Sequence, residues 1–200
     1  FKASIDLLVS QGMEQEEALY KVLKEMITAS KNIRFEGDGY SDEWKEEAMR
    51  RGLTNISHVP EAIMRFNDSQ SREVLIGENI FNENELICRI EVELEKFTKK
   101  VQIESRVLGD LAINHIVPTA VIYQNRLLEN LRGLRETFSQ VEYEMLGADR
   151  RELVKEIQFR ILEIKQLVRE MTEARRISNR LTSQVEKAYS YEEKVRPYME

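Results

Sequence analysis

From Asn82 the sequence runs to Pro118 without a strong helix breaker, while Leu86, Ile90, Leu94, Phe97 and Val101 recur three and four residues apart. That spacing lays one apolar stripe along one helix face. Asn82 with Glu85 three positions later has the form of a capping box, so the helix has a defined start. Running on to Pro118 it would be about 50 Å long at roughly 1.5 Å per residue, far beyond an ordinary globular helix.

Pro118 is expected to kink or restart this element, and Leu127, Leu128, Leu131, Leu134 and Phe138 carry it on toward Ser139. Gly147, Ala148 and Asp149 mark a turn, with Asp149 and Glu152 as the expected cap of the last helical region. There Ile157, Ile161, Ile164, Val168 and Met171 are spaced four, three, four and three apart, a heptad seam. Ala174, Ser178, Leu181, Val185 and Ala188 resume it after a local slip. Residues 141–200 hold 12 basic and 12 acidic side chains, so the formal charge of -6 lies upstream. Interspersed charges of both signs suit a solvated face of paired helices.

Composition agrees with a helical reading. Only 8 Gly and 3 Pro occur among 200 residues, 33% of the chain is charged and 42% is hydrophobic. This excludes collagen-like and disulfide-dense chains. The acidic balance argues against a general nucleic-acid partner. Cys88 is the single cysteine, compatible with a reducing compartment and with a small buried or half-buried side chain on a helix. The most apolar window, residues 107–123, contains Gly109, Asp110, Asn114, His115 and Pro118 and is too short and polar to span a membrane. It reads as a buried core helix. The opening residues are amphipathic at once, with no secretory leader, so the chain is expected to start inside a helix and to reside in the cytoplasm.

The first third is broken up. Glu16 and Glu17 lead into Ala18, Leu19, Val22, Leu23, Met26 and Ile27, a helix expected to end near Ser30. Gly37 and Gly39 flank Asp38 in a loop, and Ser41 or Asp42 should cap a helix over residues 43–51 that Gly52 ends. Pro60 suits the first turn of a short helix to about Asn67, and residues 68–71 look like a surface connection.

Chemistry-bearing residues are sparse. His58 and His115 sit in no metal-binding spacing, and each reads as structural, His115 as a hydrogen-bonded core histidine with Asn114 and Asp110 near it. Nucleophile-elbow and phosphate-loop signatures do not occur. The loop of residues 36–43 is the best local candidate: Glu36, Asp38, Asp42 and Glu43 offer oxygens to Mg²⁺ or Ca²⁺, against the simpler reading of a turn with a helix cap. Lys31, Arg34, Arg50 and Arg51 would bind an anion there or pair with those acids, while Tyr40 and Trp44 read as packing anchors.

The string Ser30-Lys31-Asn32-Ile33-Arg34-Phe35-Glu36-Gly37-Asp38-Gly39-Tyr40-Ser41-Asp42-Glu43-Trp44, continued by Lys45-Glu46-Glu47-Ala48-Met49-Arg50-Arg51-Gly52-Leu53, resembles the C-terminal part of type III glutamine synthetases. A second block resembles it too: Gln102-Ile103-Glu104-Ser105-Arg106-Val107-Leu108-Gly109-Asp110-Leu111-Ala112-Ile113-Asn114-His115-Ile116-Val117-Pro118-Thr119-Ala120, then Tyr123-Gln124-Asn125 and Leu128-Glu129-Asn130-Leu131-Arg132-Gly133-Leu134. With the tail at Val195-Arg196-Pro197-Tyr198, the likeness spans nearly all of the chain.

The resemblance implies a parent enzyme that joins glutamate and ammonia using ATP and Mg²⁺ or Mn²⁺, and that assembles as ring-built homo-oligomers. The family's metal ligands, nucleotide contacts and substrate arginines lie in a catalytic core upstream, so no catalytic or cofactor-binding residue is carried over and these 200 residues are expected to be inactive alone. Glu36, Asp38 and Asp42 remain the candidate metal ligands. The expected fold is mainly α: short helices with irregular loops over residues 1–81, continuing the upstream core of the same chain, then long helices over 82–200 forming an antiparallel, coiled-coil-like hairpin or bundle. Its expected partners are that core and further copies of the parent, with no nucleic acid and no membrane. The alternative, supported equally by periodicity, is a free-standing helical interaction module without catalysis.

Overall fold

A computed structural model describes residues 1–200, which form helices joined by loops and turns, with no strand. The chain forms two compact units, Phe1–Ser57 and His58–Glu200. The packing thus divides between Ser57 and His58.

In the first unit α1 (Lys2–Ser10) packs on α2 (Gln15–Ala29), and α3 (Asp42–Arg50) follows the glycine-bearing loop. Ala18, Val22 and Ala48 are its buried apolar residues. Helix α3 starts where a hydroxyl cap was expected, since Ser41 Oγ accepts the Trp44 N–H at 3.2 Å. It stops at Gly52, whose φ of +72° lets Leu53 donate back to the Ala48 carbonyl at 2.9 Å. That six-to-one closure needs a left-handed residue, which glycine adopts without a Cβ penalty.

In the second unit α4 (Val59–Met64) and α5 (Ser69–Gly77) are short and lead into α6 (Glu83–Leu111). Residues 68–71, expected as a connection, instead open α5 with Asp68 at its N-cap. The Asn82 and Glu85 capping box forms in full: Asn82 accepts the Glu85 N–H at 2.9 Å and Glu85 accepts the Asn82 N–H at 2.8 Å. A π-helical turn, Ala112–Ile116, joins α6 to α7 (Val117–Thr137). Pro118 has no N–H and its ring crowds the carbonyl four residues back, so the wider turn just before it lets the helix continue. The helical run from Glu83 to Thr137 is about 80 Å long at 1.5 Å per residue.

Helix α8 (Gln140–Leu146) turns the chain into α9 (Ala148–Ser178), which runs back along it. Three contacts fix the register. Gln124 donates to the Val154 carbonyl at 3.1 Å, Gly109 lies against Val168 and Met171, and Gln102 donates to Asn179 at 3.4 Å. Positions rising on one helix meet positions falling on the other, so the pair is antiparallel. Ile161 and Met171 of the heptad seam are buried, with Ile157, Ile164 and Val168 half-buried beside them. The expected Asp149 cap does not form: Gly147 occupies the N-cap without a side-chain bond, and the reciprocal cap is at Ser139 and Glu142, one helix earlier. The seam's slip, at Val168, Met171 and Ala174, falls inside α9, which ends at Ser178; Val185 and Ala188 ride instead on α10 (Gln184–Lys194), which folds back against α6.

The core gathers at the base of the hairpin. Leu86, Ile90 and Leu94 of α6 meet Ala188 of α10, with Ile63, Leu75 and Phe81 around them. Next to it Val101, Met171, Tyr191 and Val195 form a second cluster, bridged to the first by Phe97. Residues 107–123 do not form the buried core helix that their composition suggests. Only Gly109, Ala112 and Val117 are buried there, while Val107, Leu111, Ile116, Ile122 and Tyr123 stand in water, because α9 covers a single face. No helix is long and apolar enough to cross a membrane.

Candidate functional site

The loop of residues 36–43 is organised by its own short side chains. Asp38 Oδ1 accepts the Tyr40 N–H at 2.9 Å, and Ser41 Oγ donates to the Asp38 carbonyl at 2.8 Å while capping α3. Such turns close on an aspartate oxygen because it reaches the backbone two residues on. Asp42 pairs with Lys45 at 2.6 Å, and that hydrogen bond and charge hold its carboxyl below the usual range. Glu36 is exposed beside Phe35 and Lys31.

Behind the loop, Phe35 stacks on Trp44 with ring centroids 4.5 Å apart, and a Cβ at Gly37 would come within 2.6 Å of the Phe35 ring. Trp44 is therefore a packing anchor as expected. Tyr40 is not, being 95% exposed, since the Asp38 turn swings it outward.

The basic residues turn away from the loop acids. Glu47 on α3 accepts from Arg50 through both carboxylate oxygens at 2.6 Å and is also bound by Arg51. These bonds, Arg50 first and Arg51 next, hold the Glu47 carboxyl below its ordinary value. Arg51 also donates to the Arg34 carbonyl at 2.5 Å, and Arg34 to the Ile27 carbonyl at 2.6 Å. The result is a brace that ties the loop's start to α2 and α3. Glu47 escaped the reading by motif, and its signal was the i, i+3 and i, i+4 spacing to Arg50 and Arg51.

Glu36, Asp38 and Asp42 do not converge. No group of three or more His, Cys, Asp or Glu side chains is arranged to hold a metal ion. Two of the three candidates serve turn and helix start, so the donor set here does not fit Mg²⁺, Mn²⁺ or the phosphates of ATP. A depression of about 410 Å³ lined by Lys31, Arg34, Phe35, Glu36, Gly37 and Arg51 lies beside the loop, open and without a buried polar group aimed into it.

One histidine keeps to expectation and the other departs from it. His58 is structural: its Nδ1 lies 3.0 Å from Glu192, a buried carboxylate that also accepts from Arg196 at 2.9 and 3.2 Å. His115 is exposed in the π-helical turn, and its neighbours Asn114 and Asp110 bond each other at 2.6 Å in solvent. Apolar composition placed it in a core, but the face it occupies has no covering helix. Cys88 is likewise exposed, on the outer side of α6 beside Arg89, whose guanidinium sits 5.0 Å above the Phe81 ring.

Comparison with known proteins bears on this helical, locally braced arrangement. The model of the glutamine synthetase C-terminal domain matches residues 18–135. Over all 200 residues the chain is 66% identical to a glutamine synthetase of Bacteroides fragilis, covering 27% of that protein. It is 32% identical over 120 residues to a glutamine synthetase of Butyrivibrio fibrisolvens, covering 60% of this chain and 17% of the relative. To the type-3 glutamine synthetase of Dictyostelium discoideum it is 29% identical over 136 residues, covering 65% and 18%. The chain therefore spans about a quarter or less of the length of the curated relatives it matches. Its matched region includes the braced loop, α6 and nearly all of α7, and on that evidence the chain belongs to the glutamine synthetase C-terminal domain family.

Proposed function

We propose that these residues are the C-terminal helical region of a type III glutamine synthetase, a ligase that makes glutamine from glutamate and ammonia with ATP and Mg²⁺ or Mn²⁺. The observation that carries this reading is the 66% identity along the entire chain to a glutamine synthetase. In it the short-helix region of residues 1–81 continues the catalytic core, and the long helices of 82–200 serve structure and assembly through a coiled-coil-like seam. The working residues of ligation belong to the core, since phosphoryl transfer requires a phosphate clamp and metal ligands in one place. A cytoplasmic homo-oligomer is the corresponding setting.

A role in assembly draws support from the hairpin's outward apolar side chains. Ile122 and Tyr123 on α7 and Phe159 and Leu162 on α9 are exposed, apolar side chains that nothing in this chain covers. The test is direct. The full-length protein containing this chain should form glutamine only with ATP and divalent metal, and the 200 residues alone should release no phosphate from the same mixture. Phosphate release by the 200 residues, or no glutamine from the full-length protein, would overturn the reading.

A further inference from the structure

The antiparallel register sets two arginines level with each other. Gln102 meets Asn179, and Gly109 meets Met171 and Val168, so Arg106, between them on α6, falls opposite Arg175 on α9. No carboxylate joins them. The chain's ion pairs lie mostly along single helices, with others at Glu192 and between Arg72 and Glu83, and neither arginine takes part in one. Arg175 Nη1 is the one buried side-chain nitrogen or oxygen with no hydrogen-bond partner. A buried guanidinium nitrogen without a protein acceptor is costly, and a second positive charge beside it adds repulsion. Burial and the Arg106 charge both hold the Arg175 guanidinium below its ordinary range.

The surroundings are otherwise satisfied. Tyr191 is fully buried and donates its hydroxyl to Asn179 Oδ1 at 2.9 Å, and burial pushes its phenol up, so it stays neutral. Ser178 bonds the Ala174 carbonyl at 2.9 Å and lies 2.8 Å from Ser190, and Ser105 donates to the Gln102 carbonyl at 3.1 Å. The unmet need is thus confined to Arg175, and Arg106 is exposed, leaving that side open to solvent.

We propose that Arg106 and Arg175 form a binding site for a small oxyanion of the carboxylate or phosphate class between α6 and α9. Guanidinium forks match the paired oxygens of such anions, which would give Arg175 its missing acceptor and neutralise the like charges. The site needs no part of the assembly or ligation reading. Because α6, α9 and α10 meet there, occupancy would clamp the hairpin to its base.

Thermal melting of the full-length protein at fixed ionic strength set with chloride tests the proposal, with inorganic phosphate and acetate titrated in separate arms. A saturable rise in Tm with one or both is expected, and the stronger arm names the preferred class. Arg106→Gln, at an exposed position, should fold normally and weaken that response about tenfold or more, and Arg175→Lys, which keeps the charge but loses the fork, should weaken it too. No rise with either anion, or an equal rise in wild type and Arg106→Gln, would overturn it. A carboxylate of a neighbouring subunit found against Arg175 would do the same, by showing that the acceptor comes from protein.

Discussion

At its base the long helix is enclosed, with Leu86 and Leu94 shut off from solvent by α4, α5 and α10. Beyond Gly109 the same helical run has α9 along one side and short α8 at its end, and side chains as apolar as Val121, Ile122 and Leu128 remain in water. Periodicity is alike in both regions, so the difference comes from the number of neighbours. The base is a multi-helix core and the arm a two-helix seam. Stability concentrates where several elements bury one stripe, and an arm with a single seam opens more readily.

The largest effects should separate the two regions. Leu94→Ala removes a fully buried side chain from the base and should cost about 2–5 kcal/mol in urea unfolding, whereas Phe159→Ala on the outer arm should change stability by less than about 0.5 kcal/mol. Equal losses would erase the distinction. Glu192→Gln removes the carboxylate charge that His58 and Arg196 share at the base, and should cost about 1–3 kcal/mol by the same measurement. On the arm, a Cβ at Gly133 would meet nothing within 4 Å, so Gly133→Ala should stabilise by up to about 1 kcal/mol through helix propensity alone. A loss there would reveal packing on a face that is open in this structure.

The smallest effect belongs to the first unit. Asp42 and Glu47 carry lowered carboxyl pKa values in the fold, Asp42 through Lys45 and Glu47 through Arg50 and Arg51. Their contribution is present above the unfolded carboxylate range near pH 4 and is lost as pH falls through the folded values. Acid titration followed by Trp44 fluorescence should show the α3 brace loosening only below about pH 4, and Glu47→Gln should flatten that step.

Local signals were legible in the sequence because local chemistry determines them. The Asn82 and Glu85 box, the Ser41 cap and the Gly52 terminus depend on residues at most five apart. The seam from Ile157 to Met171 was legible too, since one neighbouring helix suffices to bury it. What failed required knowing how many neighbours a face has. His115, Cys88 and much of 107–123 sit in apolar sequence yet face water, and Tyr40 follows an aspartate turn that composition does not encode. In the candidate loop the residue types were right for oxygen ligation, but Asp38 and Asp42 are taken up by the backbone and Lys45, and the strongest brace passes through Glu47.

Multi-helix packing at the base holds this region together, and assembly is the role proposed for the arm's exposed apolar side. Light scattering on the full-length protein with Phe159→Asp and Leu162→Asp tests it most directly, with glutamine formation measured on the same sample. A particle of lower mass from a protein whose circular dichroism and melting are unchanged is the predicted result. An assembly of wild-type mass would contradict it, leaving the arm's apolar face without the role assigned to it.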